Sequence, residues 1–279
     1  MKILSYSKIN YTLEVGNLRA DRYHSLSSIV QTISLADVIT IEPNNSGRIT
    51  LETNVPHIPT DSSNTVMRAV SLFLGDNNID KGMDIYIEKN VPSQAGLGGG
   101  SANASYTLSA LNELFETGKS QSYLADLSAK IGSDCPLFIY GGSVFMSGRG
   151  EIIEKLPPLP QYYYIIIKPD FSVSTKEAYK CLDQRKTVNH KHFTEKIIKL
   201  QRENSLSSDI LPQYLTNDFE IQCYDIISPI KSHLLNVGAE GALLCGSGSC
   251  VFGMFSDKRK RDTALQSLHQ YKTYTAESI

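Results

Sequence analysis

Hydrophobic and polar residues alternate near the start of the chain. Ile9, Tyr11 and Leu13 are separated by single polar residues, which is the period of two that is typical of a strand. The same period places Lys8 and Asn10 together on the opposite face of that strand. The pattern therefore predicts a strand over residues 8–13 with two polar side chains side by side.

Other segments have the spacing of helices or the density of a buried strand. Ala104, Leu108, Leu111 and Phe115 recur at helical spacing and predict an amphipathic helix, while the β-forming run 162–167 predicts a buried strand. The predicted helices are 64–75, 101–115, 121–131, 175–181 and about 192–203, and a second alternating strand covers 83–87. Strands and helices follow one another without a regular β-α-β order, which favours an α+β fold over a doubly wound α/β fold.

A proline-rich segment, LPPLP at residues 156–160, interrupts this pattern. Proline has no backbone donor and restricts the residue before it, so neither a helix nor a central strand continues through the segment. We therefore predict a domain boundary near residue 155, with an N-terminal domain over 1–155 and a C-terminal domain over 156–279.

Composition excludes several classes of protein. The 279 residues are 41% hydrophobic and 20% charged, which is enough for a sizeable core, and the net charge of −2 argues against a nucleic-acid partner. No apolar run approaches the roughly 20 residues of a membrane span, and residues 1–13 do not resemble a targeting segment. The five cysteines contain no C-x-x-C pair. We expect a reduced, cytoplasmic protein (or a plastid stroma location in a plant) that contacts neither membrane nor nucleic acid.

The stretch most informative about chemistry is VPSQAGLGGGSANA at residues 91–104. Four glycines lie between a predicted strand and a predicted helix, where free N–H groups and a close backbone approach suit a phosphate. No lysine follows the glycines as in a Walker loop, and Ser101 stands where a dinucleotide fingerprint needs glycine or alanine. A flexible or tightly packed loop is the alternative. The candidate phosphate-binding residues are Pro92, Ser93, Gln94, Ala95, Gly96, Leu97, Gly98, Gly99, Gly100, Ser101 and Ala102.

This loop resembles the P-x-x-x-G-L-G-[GS]-[GS]-S-[SA] motif of the GHMP kinases, which phosphorylate small molecules. Six further segments resemble patterns of that family: SKINYTL at 7–13, RADRYHSL at 19–26, IGSDCP at 131–136, VSTKEAY at 173–179, NDFE at 217–220 and CGSGSCVF at 245–252. Together they cover nearly the whole chain. The D-x-Y-H pattern at 21–24 is similar to members that act on a cytidine diphosphate substrate.

The resemblance implies a two-domain α+β architecture with the active site in the inter-domain cleft, residues 1–155 binding ATP and residues 156–279 forming the C-terminal GHMP domain. It implies ATP and Mg²⁺ as cofactors, with no metal-ligating side chain assigned. The implied reaction is direct in-line phosphorylation of the 2-hydroxyl of a cytidine diphosphate-linked methylerythritol, in non-mevalonate isoprenoid synthesis. For the partners of the chain we expect that small molecule, and a monomer or weak homodimer.

Two catalytic roles follow from the resemblance. Asp134 corresponds to the general base that accepts the hydroxyl proton, although the sequence alone predicts a helix cap there. Lys8 corresponds to an electrostatic partner, although a solvated lysine on a strand is the ordinary interpretation. Asn10 on the same strand face would contact substrate or hold Lys8.

The substrate pocket is likewise assigned from the resemblance. Tyr23, His24 and Tyr179 correspond to the cytidine pocket, because two aromatic rings can enclose a pyrimidine and a histidine can contact its edge. Thr175 is a weaker candidate contact. The alternative is that these tyrosines are packing or surface residues.

Two positions depart from the family pattern, and two other functions stay open. Arg22 stands where the family usually has glycine, and Gln94-Ala95 replaces the usual Gly-Ala or Gly-Gly. Arginine would be strained if its position requires a positive φ. The alternative functions are another GHMP kinase, of the homoserine or mevalonate type, and a non-enzymatic nucleotide-binding regulator.

Overall fold

The computed structural model describes residues 1–171, 173–184, 191–222 and 224–279. The strands are β1 (Lys2–Asn10), β2 (Thr12–Leu18), β3 (His24–Asn44), β4 (Ile49–Thr53), β5 (Gly82–Glu88), β6 (Ser143–Ser147), β7 (Ile152–Lys155), β8 (Tyr163–Lys168), β9 (Thr216–Asn217), β10 (Gly241–Leu244), β11 (Val251–Phe255) and β12 (Lys272–Glu277). The helices are α1 (Thr65–Asp76), α2 (Gly99–Leu114), α3 (Gln121–Ala129), α4 (Cys135–Tyr140), α5 (Thr175–Asp183), α6 (Phe193–Arg202), α7 (Tyr224–Asn236) and α8 (Lys258–Leu265). Helices and largely antiparallel strands are mixed, so the predicted α+β class is confirmed.

The chain forms two compact units that are interleaved along the sequence. The first unit contains residues 1–7, 36–93 and 98–141. The second contains residues 8–35, 94–97 and 142–279. The boundary predicted near residue 155 lies at the end of β7 and stays a prediction, while the units divide the chain at several other points.

The first unit packs four helices against a short sheet. The second half of β3 pairs antiparallel with β5, and β4 pairs parallel with β5 on its other side. Helix α1 begins at Asn64, whose side chain accepts from the Val66 N–H, and it buries Val70 and Phe73 against this sheet. Helix α2 adds Leu108 and Leu111 to the same core.

The second unit contains a four-stranded antiparallel sheet in the order β10-β11-β8-β12. In this unit β2 pairs antiparallel with the first part of β3 and parallel with β9, while β3 also pairs with β6 and β6 with β7. Ile165 and Ile167 of β8 are fully buried in its core with Leu234 of α7.

All five predicted helices are confirmed to within two residues at both ends, and the predicted strand over 162–167 corresponds to β8. The single strand predicted over 8–13 is wrong, because β1 ends at Asn10 and β2 begins at Thr12. The predicted alternation of buried and exposed positions also fails there, since every residue from Ser7 to Val15 is buried. The polar side chains are instead satisfied by hydrogen bonds within the protein.

Candidate active site

The glycine-rich loop passes through both units and ends at the first turn of α2. Gly98 is the N-cap residue of α2, with φ of 70°, and no described side chain caps this helix. The first helical hydrogen bond is from the Ala102 N–H to the Gly98 carbonyl (2.8 Å). The N–H groups of the three preceding residues therefore have no acceptor within the helix, and such a terminus is suited to an anion.

A buried carboxylate fixes the chain just before this loop. Asp37, which is fully buried, accepts from the backbone N–H groups of Asn90 and Val91 at 2.8 Å each. It also forms an ion pair with the Lys89 ammonium. These contacts lie within the first unit and hold the path of residues 89–91.

In the second unit, residues 94–97 lie against the loop 245–250 with their backbones in contact. The Cys250 N–H donates to the Ala95 carbonyl at 3.2 Å. Gly96 has φ of 77°, and a Cβ there would overlap the Cys245 carbonyl. Asn217 supports the second loop, because its amide donates to the carbonyls of Leu244 (2.8 Å) and Gly246 (2.7 Å).

Asp134, the predicted general base, is the N-cap residue of α4 in the first unit. Its carboxylate makes no capping hydrogen bond in the described structure, which differs from the cap that the sequence alone predicts. The next residue, Cys135, packs on α2, because the Ser105 hydroxyl donates to its carbonyl (2.7 Å). Asp134 is thereby held beside the first two turns of α2.

Lys8 and Asn10 are buried in the second unit, although a solvated lysine was the ordinary interpretation from sequence. Lys8 is 5% exposed, and its ammonium donates to the Asn10 side-chain oxygen at 2.7 Å. Asn10 in turn donates to the Ser28 hydroxyl (2.8 Å). The Lys8 N–H donates to the Leu97 carbonyl (3.1 Å), which joins this strand to the glycine-rich loop. A Cβ added at Gly246 would lie 3.2 Å from the Lys8 ammonium. The loop 245–250, called the second glycine loop below, is therefore also close to Lys8.

The structure brings together some of the predicted pocket residues. His24 stacks on Tyr179, with ring centroids 5.4 Å apart and planes at 18°. Thr175 is hydrogen-bonded to Ser247 of the second glycine loop at 3.0 Å. Tyr23 is half exposed, and the Arg149 guanidinium lies over its ring at 5.0 Å.

Arg22 has φ of 66°, so the position does require a positive φ. The turn is closed on both sides of it, since the Arg22 N–H donates to the Arg19 carbonyl and the Arg19 N–H donates to the Tyr23 carbonyl. The strain is therefore accommodated by the turn, which presents Tyr23 and His24 at its end.

Two residues near these groups were missed by the sequence analysis. Asn217 lies in a segment that resembled the family, but its role as a donor to a distant loop has no local signal. Asp183 contacts His24 and lies four residues after Tyr179, a spacing that indicates the same helix face.

Two family patterns match the chain. GHMP kinases N terminal domain matches residues 64–142, and GHMP kinases C terminal matches residues 193–272. The chain belongs to the GHMP kinases. This confirms the predicted kinase class. Enzymes of this family use ATP as the phosphate donor, as the sequence analysis expected.

Several relatives of this GHMP kinase have the name 4-diphosphocytidyl-2-C-methyl-D-erythritol kinase. One from Clostridium botulinum (strain Eklund 17B / Type B) is 38% identical over 273 residues, covering 97% of this chain and 96% of that protein. One from Clostridium tetani (strain Massachusetts / E88) is 39% identical over 276 residues, covering 98% of this chain and 96% of that protein.

A crystal structure of 4-(cytidine 5'-diphospho)-2C-methyl-D-erythritol kinase is similar with a TM-score of 0.83 at 26% identity, covering 100% of this chain and 99% of that one. Homoserine kinase from Cytophaga hutchinsonii has a TM-score of 0.76 at 19% identity, covering 99% of this chain and 95% of that one. The second likeness shows a shared fold alone.

The described part of the chain contains neither a membrane-spanning helix nor a cluster of metal-ligating side chains. Its helices are all too short or too polar to cross a membrane. Within the same residues, no group of three or more His, Cys, Asp or Glu side chains is placed to hold a metal ion.

Proposed function

We propose that this GHMP kinase transfers the γ-phosphate of ATP to the 2-hydroxyl of 4-diphosphocytidyl-2-C-methyl-D-erythritol, in the non-mevalonate synthesis of isoprenoid precursors. The observation that carries the proposal is the set of relatives with that name, 38–39% identical over 97–98% of the chain. The retained Asp134 and Lys8 support an enzyme over a non-catalytic regulator.

In the proposed reaction the hydroxyl oxygen attacks the γ-phosphorus in line with the departing ADP. Asp134 accepts the hydroxyl proton, so that a P–O bond forms as the bond to the β-phosphate oxygen breaks. Two observations support this role: the carboxylate is not used as a helix cap, and Cys135 anchors it beside the first turns of α2. The free N–H groups of that helix terminus are the proposed site for the ATP phosphates.

The remaining roles belong to the second unit. Lys8 is the proposed electrostatic partner of the transferred charge, and its bond to Asn10 fixes the direction of its ammonium. Tyr23, His24, Thr175 and Tyr179 are the proposed substrate contacts.

Mg²⁺ is the proposed metal, brought by ATP. Magnesium usually keeps several waters and binds through substrate phosphates with one or two protein oxygens, so it does not need a protein cage. The described residues fit that mode, because the Ser101 hydroxyl lies in the first turn of α2, next to the proposed phosphate site. When bound, the ion offsets phosphate charge and aligns the γ-phosphate.

The first test measures ADP release from ATP and Mg²⁺ with the proposed substrate, and in parallel with homoserine and mevalonate. Release with the cytidine compound alone is the expected result. Release with another alcohol would support a kinase but reject the cytidine substrate. No ADP release with any of the three, despite ATP binding, would favour a regulator.

The second test replaces the proposed base. Asp134→Asn should reduce kcat by roughly 10²- to 10⁴-fold, which is the usual contribution of general base catalysis. ATP affinity, measured by calorimetry, should change little because the α2 terminus is intact. Asp126→Asn, at an exposed position of α3 in the same unit, is the matched control and should retain full turnover. Near-normal turnover of the Asp134 variant would reject the general-base role.

A further inference from the structure

The side chain of Lys168 joins separate segments of the second unit. Lys168 is the last residue of β8, and it is half-buried. Its ammonium donates to the carbonyl oxygens of Pro169 (2.8 Å) and Phe171 (2.7 Å) and to the hydroxyl of Ser249 (3.0 Å). A lysine ammonium has three N–H donors, so all of them are used within the protein. The three acceptors are uncharged oxygens, so the contacts fix the positions of these segments and neutralise no charge.

Ser249 connects the same groups near the end of the second glycine loop. It is fully buried, and its hydroxyl donates to the Phe171 carbonyl (2.6 Å) while it accepts from Lys168. The ammonium, the hydroxyl and the Phe171 carbonyl are therefore bonded pairwise in a triangle. Such a triangle has little freedom, because moving one corner breaks two hydrogen bonds and leaves polar atoms without partners.

The second glycine loop is held at both ends. At its start, the Asn217 amide donates to two backbone carbonyls. At its end, Lys168 and Ser249 bind each other and the carbonyl of Phe171. Since neither end can move without breaking hydrogen bonds, the Lys168 ammonium sets the position of the loop relative to residues 169–171.

Residues 169–171 lead to the first predicted substrate contact of α5. Thr175 is the first residue of that helix, and its hydroxyl is hydrogen-bonded to Ser247 of the second glycine loop (3.0 Å). Two residues earlier, the Val173 side chain lies 3.4 Å from where a Cβ at Gly248 would be, so it packs on the same loop. The two segments that the ammonium ties together are therefore the two that meet at this predicted substrate contact.

We propose that Lys168 is a positioning residue that fixes the second glycine loop against the start of α5, and so holds Thr175 and Ser247 in place for the substrate. Lys168 itself does not touch the substrate in this role. The role deepens the proposed function and rests on it for its kinetic consequence, because Thr175 is a substrate contact only under that proposal. The hydrogen bonds of Lys168 are independent of what the enzyme phosphorylates.

The direct test measures amide hydrogen exchange by ¹H–¹⁵N NMR in the ligand-free protein. Lys168→Met keeps most of the length of the side chain and removes its donors. The N–H groups of Gly248 and Cys250 donate to backbone carbonyls within and next to the loop (2.8 and 3.2 Å). In the variant they should exchange about tenfold faster or more, because the loop opens locally once its end is released. Amides of the β3–β6 pair should keep their rates, since they report opening elsewhere in the second unit.

Lys272→Met is the matched control. Lys272 is the partner of Lys168 in the register of the neighbouring strand β12, and it is exposed. This variant removes the same charge from the next strand but none of the hydrogen bonds to Ser249 or to residues 169–171. Amide exchange in the loop should therefore keep the wild-type rates. Unchanged exchange in Lys168→Met, or equal acceleration in both variants, would overturn the proposal.

The kinetic test separates positioning from a general loss of structure. Lys168→Met should raise KM for the cytidine substrate about tenfold, as expected for losing a hydrogen bond from a charged group that orders the site. Its kcat should change little, because Asp134 lies in the other unit and Asn10 fixes the Lys8 ammonium. Its KM for ATP should also change little, because the free N–H groups of α2 lie in the first unit. Lys272→Met should leave all three constants unchanged.

A second variant shows whether Lys168 acts through the loop. Ser249→Ala removes the hydroxyl and should raise the same KM. In that background, Lys168→Met should add less than about a threefold further rise, since the two side chains share one contact and their effects are not additive. A full tenfold rise in both backgrounds would mean that Lys168 does not act through Ser249, and the proposal would be rejected.

The outcomes distinguish the two proposals. If the wild type does not phosphorylate the cytidine compound, the proposed function fails while amide exchange still tests the role of Lys168. If the loop exchanges faster in Lys168→Met but KM is unchanged, the positioning role fails while the proposed function stands. Equal losses in kcat and in both KM values, with faster exchange in β3 and β6 as well, would indicate a general structural defect and would also reject the positioning role.

Discussion

Two side chains near the candidate site occupy the left-handed region of φ that favours glycine. Arg22 has φ of 66° and Gln94 has φ of 51°. Both stand where the sequence analysis found a departure from the family's glycines, so each departure coincides with a backbone conformation that glycine would adopt without strain. A non-glycine residue there costs on the order of 1 kcal/mol.

Gln94→Gly should therefore raise the free energy of unfolding by about 0.5 kcal/mol, since relieving about 1 kcal/mol of strain exceeds the entropy that glycine adds to the unfolded chain. Urea unfolding measures this change. The control is Gln266→Gly, at an exposed position with φ of −64°, where glycine relieves nothing and should leave stability equal or lower. A loss of stability in the Gln94 variant would show that its side chain makes contacts that outweigh the strain.

Near the candidate site, the sequence predicted which side chains lie together better than it predicted how deeply they are buried. Motif spacing singled out Lys8 and Asn10 as a pair, and the structure joins them by a hydrogen bond. The burial of Lys8 was not predictable, because the residues next to it include Leu97 and Gly246, which are far away in the sequence. The same limit applies to Asp183, whose partner His24 is 159 residues away.

At the scale of the elements, residues 94–97 lie so close to the second glycine loop that position 96 has no room for a side chain. Gly96→Ala would bring a methyl group onto the Cys245 carbonyl, and backbone atoms cannot rotate away as a side chain can. Gly47 has a similar φ of 70° with nothing within 4 Å, so Gly47→Ala isolates the cost of conformation.

We expect Gly47→Ala to lower the free energy of unfolding by about 1 kcal/mol, and Gly96→Ala to lower it by at least about 2 kcal/mol more, as overpacking implies. Gly96→Ala should also weaken ATP binding, measured by calorimetry, because the loop must move. Equal effects of the two substitutions would mean that the loops separate at no cost.

Helices were predicted more completely than strands for a physical reason. A helix satisfies its own backbone, so its signal lies in the local spacing of apolar residues, as in α1 and α2. The 21-residue strand β3 was missed, because its hydrophobic pattern is interrupted by the buried Asp37 and two of its partners, β5 and β6, lie in distant segments. Likewise, α6 receives its N-terminal acceptor from Glu14, whose carboxylate binds the N–H groups of Phe193 and Thr194 across about 180 residues.

At the scale of the whole molecule, the buried thiols make the free energy of unfolding depend on pH in the alkaline range. Burial raises the pKa of Cys135 from 9.0 to about 11, and that of Cys250 to about 12. The unfolded thiols lose their protons above about pH 9 while the folded ones keep them. The stabilising effect is therefore fully present below pH 9 and is lost as pH rises towards 11.

The free energy of unfolding should fall between pH 9 and pH 11 with a contribution of about 1.4 kcal/mol per pH unit from each such thiol. Urea unfolding of Cys135→Ala at the same pH values should have a slope that is less steep by about that amount, whatever its stability at pH 8. Cys181→Ala, at an exposed position, should keep the wild-type slope. A Cys135 variant with an unchanged slope would contradict this prediction.

The class of the fold followed from the sequence, whereas the division into compact units did not. The α+β prediction needed only the order of local patterns, and the proline-rich segment gave a single boundary near residue 155. The compact units depend on which distant segments share a core, and residues 8–35 join the same unit as 142–279. No local pattern records that association.

The parallel pairing of β2 with β9 has a consequence for synthesis on the ribosome. Thr12 and Leu13 meet Thr216 and Asn217, and the Val15 N–H donates to Asp218, 203 residues later. At the usual elongation rates of 5–20 residues per second, the early strand waits roughly 10 to 40 s before its partner has been translated. During that interval the apolar residues of β2 are without their native neighbours from the second half of the chain, so a nascent chain halted before residue 216 should be a strong client for chaperones.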